Sequence, residues 1–380
     1  MIKSYVLAGL VPKFLSLVTF SFIISTLSSE EYVYFDFVMV TYSIIFPAIS
    51  LCLADSAYHF AIKKGNIEVF KSISSFVNAS HLASLFILLF LYAFHMIDVR
   101  FLYVLVLSYL YFRLYLTRNK FRVLGESRKF LAIELLPVIL VFIACFAISK
   151  ASIVHSYAHF YIWAYVFCWI VVVLLFSELK KDFFCSFKLK RIYLEFSLPL
   201  VPNAMIVLIL FNAFRYLDVN DNIQLLYSLN YRLVSFYIIA SGILFMIMQD
   251  YYYKFSPSLF KYVIAGFFVS IIVTTSVFVF LELVKEYYLG DKSLLVDMEI
   301  YKLSVIAMIV YMLSSFCSIV INNEGKTYHN LISNFLGLIV CIISILVFGM
   351  NNKLVFALSM LTSFVSTFLY RVIYVFRLKG

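Results

Sequence analysis

Apolar residues run almost unbroken through this chain, and short polar clusters interrupt them at intervals. The runs are continuous rather than alternating, and each is close to the roughly 20 residues a helix needs to cross hydrocarbon. Backbone groups find no water inside a bilayer, so spanning segments must be helices or a closed barrel. Strict alternation would mark a barrel, and it is missing. Twelve helical spans are predicted: 5–27, 33–57, 75–97, 100–117, 130–149, 154–177, 194–214, 225–248, 260–283, 299–321, 329–349 and 354–375. The breaks are short and polar, as at Ser28-Ser29-Glu30-Glu31, Lys63-Lys64-Gly65-Asn66, Arg118 through Lys129, and Lys180 through Arg191. Their lengths suit connections rather than soluble domains.

The predicted fold class is therefore all-α, a polytopic membrane protein with about 12 transmembrane helices in two six-helix halves around a central cavity. The halves are residues 1–190 and 191–380. An internal echo supports the division. Leu10-Val11-Pro12-Lys13 returns as Leu200-Val201-Pro202-Asn203, and each copy opens one half. Parallel repeats of this kind build several transporter folds.

Composition narrows the class. Of 380 residues, 64% are apolar and 13% charged, against roughly 45–50% and 25% in soluble domains. Too few polar residues exist to cover a soluble surface, which excludes an ordinary soluble enzyme. Five of six cysteines sit in apolar runs and no CxxC occurs, so neither a zinc site nor a disulfide framework is indicated. The first run reads as a retained helix rather than a cleaved leader.

A net charge of +10 could suggest nucleic acid, but its placement argues otherwise. With the N-terminus in the cytoplasm, twenty Lys and Arg fall in inner positions and six in outer ones. The inner set includes Lys63, Lys64 and Lys71, the group from Arg118 to Lys129, and Arg371, Arg377 and Lys379. This bias follows the positive-inside rule for twelve spans with both termini cytoplasmic. Anionic headgroups are the natural partners of the excess, and no nucleic-acid role is expected.

Motifs for soluble chemistry are weak. Gly325-Lys326-Thr327 resembles the end of a phosphate-binding loop, yet Val320 stands where that loop needs its first glycine, so a helix-connecting turn is expected. His155 and His159 have helical ligand spacing, but Tyr157, Tyr161 and Trp163 surround them and suggest an interfacial aromatic belt. No catalytic residue, metal site or cofactor is expected.

Ionisable residues inside spans carry more information, because burying an ion is costly and such residues usually face a cavity or a partner. Lys13, at mid-depth in span 1 after Pro12, is the sharpest case. Arg232 in span 8 is next. Arg113 in span 4 and Lys302 in span 10 lie nearer helix ends, where long side chains can snorkel. Arg215 closes span 7. These five are the candidate substrate-binding residues of a cationic cavity suited to an anionic substrate. Glu134 in span 5 and Asp36 in span 2 are candidate coupling-ion sites, and Pro12 and Pro202 are candidate hinges.

Leu27-Ser28-Ser29-Glu30-Glu31-Tyr32, Asp55-Ser56-Ala57-Tyr58 and Leu226-Tyr227-Ser228 through Arg232-Leu233 resemble stretches of a known family. The chain resembles bacterial O-antigen and capsule polysaccharide flippases of the multidrug/oligosaccharidyl-lipid/polysaccharide exporter superfamily. Val33 stands where that family has glycine, and Arg215-Tyr216-Leu217-Asp218 replaces its usual Asp-Arg. The resemblance implies a non-enzymatic flippase of the bacterial inner membrane. It would carry an undecaprenyl-diphosphate-linked oligosaccharide repeat unit to the periplasmic leaflet for polysaccharide or lipopolysaccharide biosynthesis. Alternating access without ATP, the lipid-linked oligosaccharide and membrane lipids as ligands, and other polysaccharide-assembly proteins as partners follow from it. The competing readings are a membrane polysaccharide polymerase or ligase, and a small-molecule exporter of the same superfamily.

Overall fold

The structure is a computed structural model that describes residues 2–151, 157–176, 190–216, 221–289, 296–350 and 352–379. Among the described residues the helices are α1 (Ile2–Thr26), α2 (Ser29–Ser50), α3 (Leu53–Lys64), α4 (Val69–Ala93), α5 (Val99–Leu124), α6 (Ser127–Lys150), α7 (Tyr157–Phe176), α8 (Arg191–Ser197), α9 (Leu200–Tyr216), α10 (Asp221–Phe255), α11 (Leu259–Leu289), α12 (Met298–Asn323), α13 (Thr327–Phe348) and α14 (Val355–Lys379). They make twelve spans, because α2 and α3 form one bent span, and α8 and α9 form one span interrupted by a turn at Leu198–Pro199. Among the described residues nine spans, α8–α9 included, are long and apolar enough to cross a bilayer, and the α2–α3 pair is a tenth. Helices α1 and α10 complete the twelve.

Local chemistry sets the joints. Ser28 and Glu31 form a capping box: the Ser28 hydroxyl accepts from the Glu31 N–H at 3.3 Å, and the Glu31 carboxylate accepts from the Ser28 N–H at 3.2 Å. This satisfies two donors that a helix start would otherwise leave open. Pro47 sits inside α2, which ends at Ser50. Leu51 and Cys52 then adopt left-handed backbone at φ 50° and 49°, an unfavourable conformation for side chains with a Cβ. The chain bends by 53° there. Phe46, Leu51 and Cys52 pack into a cluster with Phe60, Phe70 and Phe112, which holds the bend. Gly325, at φ 72°, makes the expected turn between α12 and α13.

The chain divides into compact units Met1–Val201 and Pro202–Gly380, not after residue 190. Helix α8 explains the difference. Phe196 stacks on His59 with ring centroids 4.3 Å apart, and Tyr193 meets Phe60 at 5.1 Å. The Ser56 hydroxyl donates to the Tyr193 carbonyl at 3.2 Å. So α8 is packed on α3 and belongs to the first unit.

Within the second unit, α14 lies against α12 and α13. Gly337 lets α13 approach closely: a Cβ there would collide with the Thr367 hydroxyl and sit 2.9 Å from the Ser363 hydroxyl. Small residues serve membrane helices in this way, since dispersion and polar contacts rather than water exclusion hold them together. Arg371, at only 4% exposure, is buried in the same seam rather than in a cytoplasmic connection. Its guanidinium donates to the Ser333 hydroxyl at 2.8 Å, the Ser314 hydroxyl at 3.0 Å and Asn334 Oδ1 at 2.9 Å. Asn334 in turn donates to Asn203 Oδ1 at 2.8 Å. Neutral dipoles from α12 and α13 thus solvate a full charge, and Asn203 of α9 orients one of them.

Candidate functional site

Helices α1, α2, α5, α6 and α7 of the first unit enclose a cavity of about 320 Å³. Such a volume suits a small ligand or one part of a larger one. Lys13, the twelfth of 25 residues in α1, reaches it near mid-helix, and its side chain is exposed to the space. Pro12 precedes it inside the helix and is buried. Proline removes a helix hydrogen bond and favours a kink. The Ser16 hydroxyl donates to the Pro12 carbonyl at 2.7 Å, and Thr19 does the same to Leu15 at 2.7 Å. Such back-bonding also bends helices.

The opposite wall carries an ion pair. Arg118 of α5 donates to Glu134 of α6 at 2.9 Å, with both side chains about one-fifth exposed. The guanidinium lies 4.2 Å from the Tyr115 ring centroid. Tyr115 then donates its hydroxyl to Asp55 Oδ1 at 2.6 Å. Glu134 attracts the Lys13 charge while Arg118 repels it. The cavity lining therefore holds two cations, Lys13 and Arg118, against one carboxylate, Glu134. Asp55, at the start of α3 beyond the α2–α3 bend, is linked to it through Tyr115.

Aromatic rings supply the rest of the wall. Tyr42 lies 6.1 Å from Tyr111 and 5.9 Å from Trp169, and Tyr165 lies 6.0 Å from Trp169. Tyr111 and Tyr115 stack at 6.2 Å. One patch of cavity thus offers flat π-faces, hydroxyls and fixed charge. Rings of this kind pair with planar or ring-shaped apolar faces of a ligand, and cations bind its anionic groups.

The other expected site residues are distributed differently. Lys13, Glu134 and Pro12 meet in this cavity. Arg113 does not: it is buried between α4 and α5, where it bonds the Ser74 hydroxyl and Asn78 Oδ1, the latter at 3.4 Å. Lys302 is exposed on the first turns of α12 and lines none of the cavities described. The side chains of Asp36, Arg215 and Arg232 lie outside the described residues, as does His155. His159 packs against Tyr34 at 4.7 Å and bonds Tyr103 at 3.2 Å. Pro202 stands in the first turn of α9, where the missing N–H is one the helix leaves unused. It is therefore not an internal kink, and the break in that span falls one turn earlier, at Leu198–Pro199.

Arg118 was expected in a cytoplasmic connection, yet α5 continues to Leu124. The helix persists because its polar residues find partners: Asn119 donates to the Ala54 carbonyl at 3.1 Å, and Arg122 lies 4.4 Å over the Tyr58 ring. The signal was present in the spacing of Tyr111, Leu114, Tyr115 and Arg118, which lie on one helical face.

No family model matches the chain, and no curated protein sequence matches it significantly. Solved structures do. An outward-facing multidrug resistance MATE family transporter of the MOP superfamily superposes with TM-score 0.75 at 10% identity, covering 100% of this chain and 97% of that one. A MOP superfamily transporter from Pyrococcus furiosus, described as having a binding pocket of reverse polarity that suggests a different function, gives 0.71 at 11% identity, with 100% and 97% covered. A MATE transporter in the straight conformation gives 0.71 at 11%, again with 100% and 97% covered. The chain thus has the twelve-helix fold of MATE transporters of the MOP superfamily, over its whole length.

Proposed function

We propose that this protein is a membrane exporter of the MOP superfamily type that flips a lipid-linked oligosaccharide, joined through a diphosphate, from the cytoplasmic to the periplasmic leaflet. The fold supports a transporter. The observation that carries the choice of substrate is the cavity lining, with two cations against one carboxylate among aromatic rings. Fixed positive charge in a low-dielectric site attracts phosphate or acidic sugar groups strongly, and the Tyr and Trp faces can stack on sugar rings. Lys13 and Arg118 would contact the anionic part, with Glu134 holding Arg118 in place. Residence in a bacterial inner membrane with both termini cytoplasmic belongs to the same reading.

A polymerase or ligase is disfavoured. Among the described residues nearly all lie in helices joined by short turns, and such turns offer no large loop for catalytic residues. A small-molecule exporter is the second reading, and Glu134 favours it, since a cavity carboxylate among aromatics can also take an organic cation.

The test is complementation in a cell deleted for the gene. Lys13→Ala is expected to abolish most surface polysaccharide, while Lys13→Arg retains part, and immunoblots control for protein level. Normal polysaccharide with stable Lys13→Ala protein removes Lys13 from the mechanism. Loss of resistance to an organic cation with unchanged polysaccharide decides for the small-molecule exporter.

A further inference from the structure

A second feature of the first unit lies away from the Lys13 cavity, in the groove shared by α4, α5 and α7. At one end is a pocket of about 80 Å³ with Lys71, Lys120, Arg113, Ser74 and Thr117 in its wall. Three cations and two hydroxyls face this small space, and no carboxylate is among its described lining residues. That is the donor set of a phosphate site.

Further along the same helices the groove widens to about 360 Å³ and becomes almost wholly apolar. Leu85, Val106, Leu110 and Val173 line its floor. Leu82 and Leu174, 41% and 64% exposed, form open edges, so the groove faces outward from the unit. In a membrane that side meets acyl chains.

Asn78 joins the two parts. It is 2% exposed and lines the apolar groove. Its Oδ1 accepts from Tyr109 at 3.0 Å and from Arg113 of the cationic pocket. These bonds fix the amide so that Nδ2 is the free end, and Nδ2 is buried with no hydrogen-bond partner. A buried donor left open is costly, and a carbonyl oxygen in the groove would satisfy it. Along α4 the order is Lys71, Ser74, Asn78, Leu82, Leu85. At 1.5 Å per residue that places the amide about 10 Å beyond Lys71 and Leu85 about 20 Å beyond it.

Cations, then a carbonyl acceptor's partner, then an apolar trough, in that order and on that length scale, mirror a glycerophospholipid: phosphate, ester, acyl chain. We propose that this groove binds one anionic phospholipid, with its phosphate on Lys71, Lys120 and Arg113, an ester carbonyl on the Asn78 amide, and an acyl chain along the α4–α5–α7 trough. The basic end is the one that the charge bias assigns to the cytoplasmic leaflet, where anionic headgroups attract basic pockets between helices. The site is independent of what the protein exports.

Native mass spectrometry of the purified full-length protein tests it, with phosphatidylglycerol and phosphatidylcholine as probes. Wild type is expected to keep one phosphatidylglycerol after delipidation and to prefer it over phosphatidylcholine. Lys71→Gln with Lys120→Gln should weaken phosphatidylglycerol binding about 25-fold, at roughly five-fold per basic residue. Leu85→Trp fills the trough without touching the cations and should also release the lipid. Unchanged retention in both variants, or equal retention of phosphatidylcholine by wild type, overturns the proposal. So does displacement of the lipid by millimolar inorganic phosphate, which would make this a free-anion pocket. Preferential displacement by farnesyl phosphate likewise overturns it, and would place the groove on an isoprenoid path instead.

Discussion

At the scale of single residues, depth in the sequence singled out Lys13, since a lysine midway along an apolar helix must face something polar, and its side chain lines the first unit's cavity. The same logic missed Arg118 and Arg371, because each stood where a basic residue reads as a membrane-end signal. What sequence lacked was the partner. Arg118 is defined by Glu134, and Arg371 by Ser314, Ser333 and Asn334 on other helices. The Arg118–Glu134 pair has a further consequence. Its members are mostly buried, so removing one strands the other's charge beside Lys13. Glu134→Gln and Arg118→Gln are each expected to lower the melting temperature in a fixed detergent. The double variant should lose less than the sum, with a coupling of about 0.5–3 kcal/mol for residues in direct contact. Strict additivity in that cycle would show that the pair is not coupled in the folded protein.

At the scale of elements, hydrophobic runs located the helices but not their ends or breaks. Run length marks only the part of a helix that lies in hydrocarbon. It therefore ended α5 at 117, seven residues before Leu124, and gave no sign that α2 stops at Ser50 and resumes at Leu53. It also gave Pro12 and Pro202 the same role, although only Pro12 is inside its helix. The closeness of α13 and α14 was likewise hidden, because a lone glycine in an apolar run has several uses. Here the geometry assigns one. Gly337→Ala puts a methyl group against Thr367 and the Ser363 carbonyl, 3.2 Å away, where the backbone cannot yield cheaply. Overpacking of this sort costs about 1–3 kcal/mol. A lowered melting temperature for Gly337→Ala, partly restored by adding Thr367→Ala, is the expected result. An unshifted melting temperature would mean that the helices separate without penalty.

At the scale of the whole molecule, the echo at 200–203 and the span count suggest halves divided at residue 190, whereas the compact units divide after Val201. Aromatic stacking of α8 on α3 moves the boundary to Val201, and such long-range pairing leaves no local trace in sequence. The charge bias survives a stricter count. Of the twenty basic residues assigned to the inner side, Arg122 and Arg371 are buried and Arg118 is paired within a cavity. Removing these three leaves seventeen, still far above the outer six. Lys353, one of those six, is held by Glu299 at 2.6 Å and Asp297 at 3.3 Å, so its charge is matched locally. These facts predict opposite sides for the α5–α6 and α13–α14 connections, because seven spans, α6 through α13 with α8–α9 as one, separate them. In a protein with all six cysteines replaced by alanine, Leu124→Cys and Met350→Cys place single thiols at exposed positions at those two joints. A membrane-impermeant maleimide applied to spheroplasts should label position 350 and spare position 124, and inverted vesicles should give the reverse. Labelling of both from one side would mean an even number of crossings between them. The broken α8–α9 segment would then be the first candidate for a re-entrant loop rather than a span.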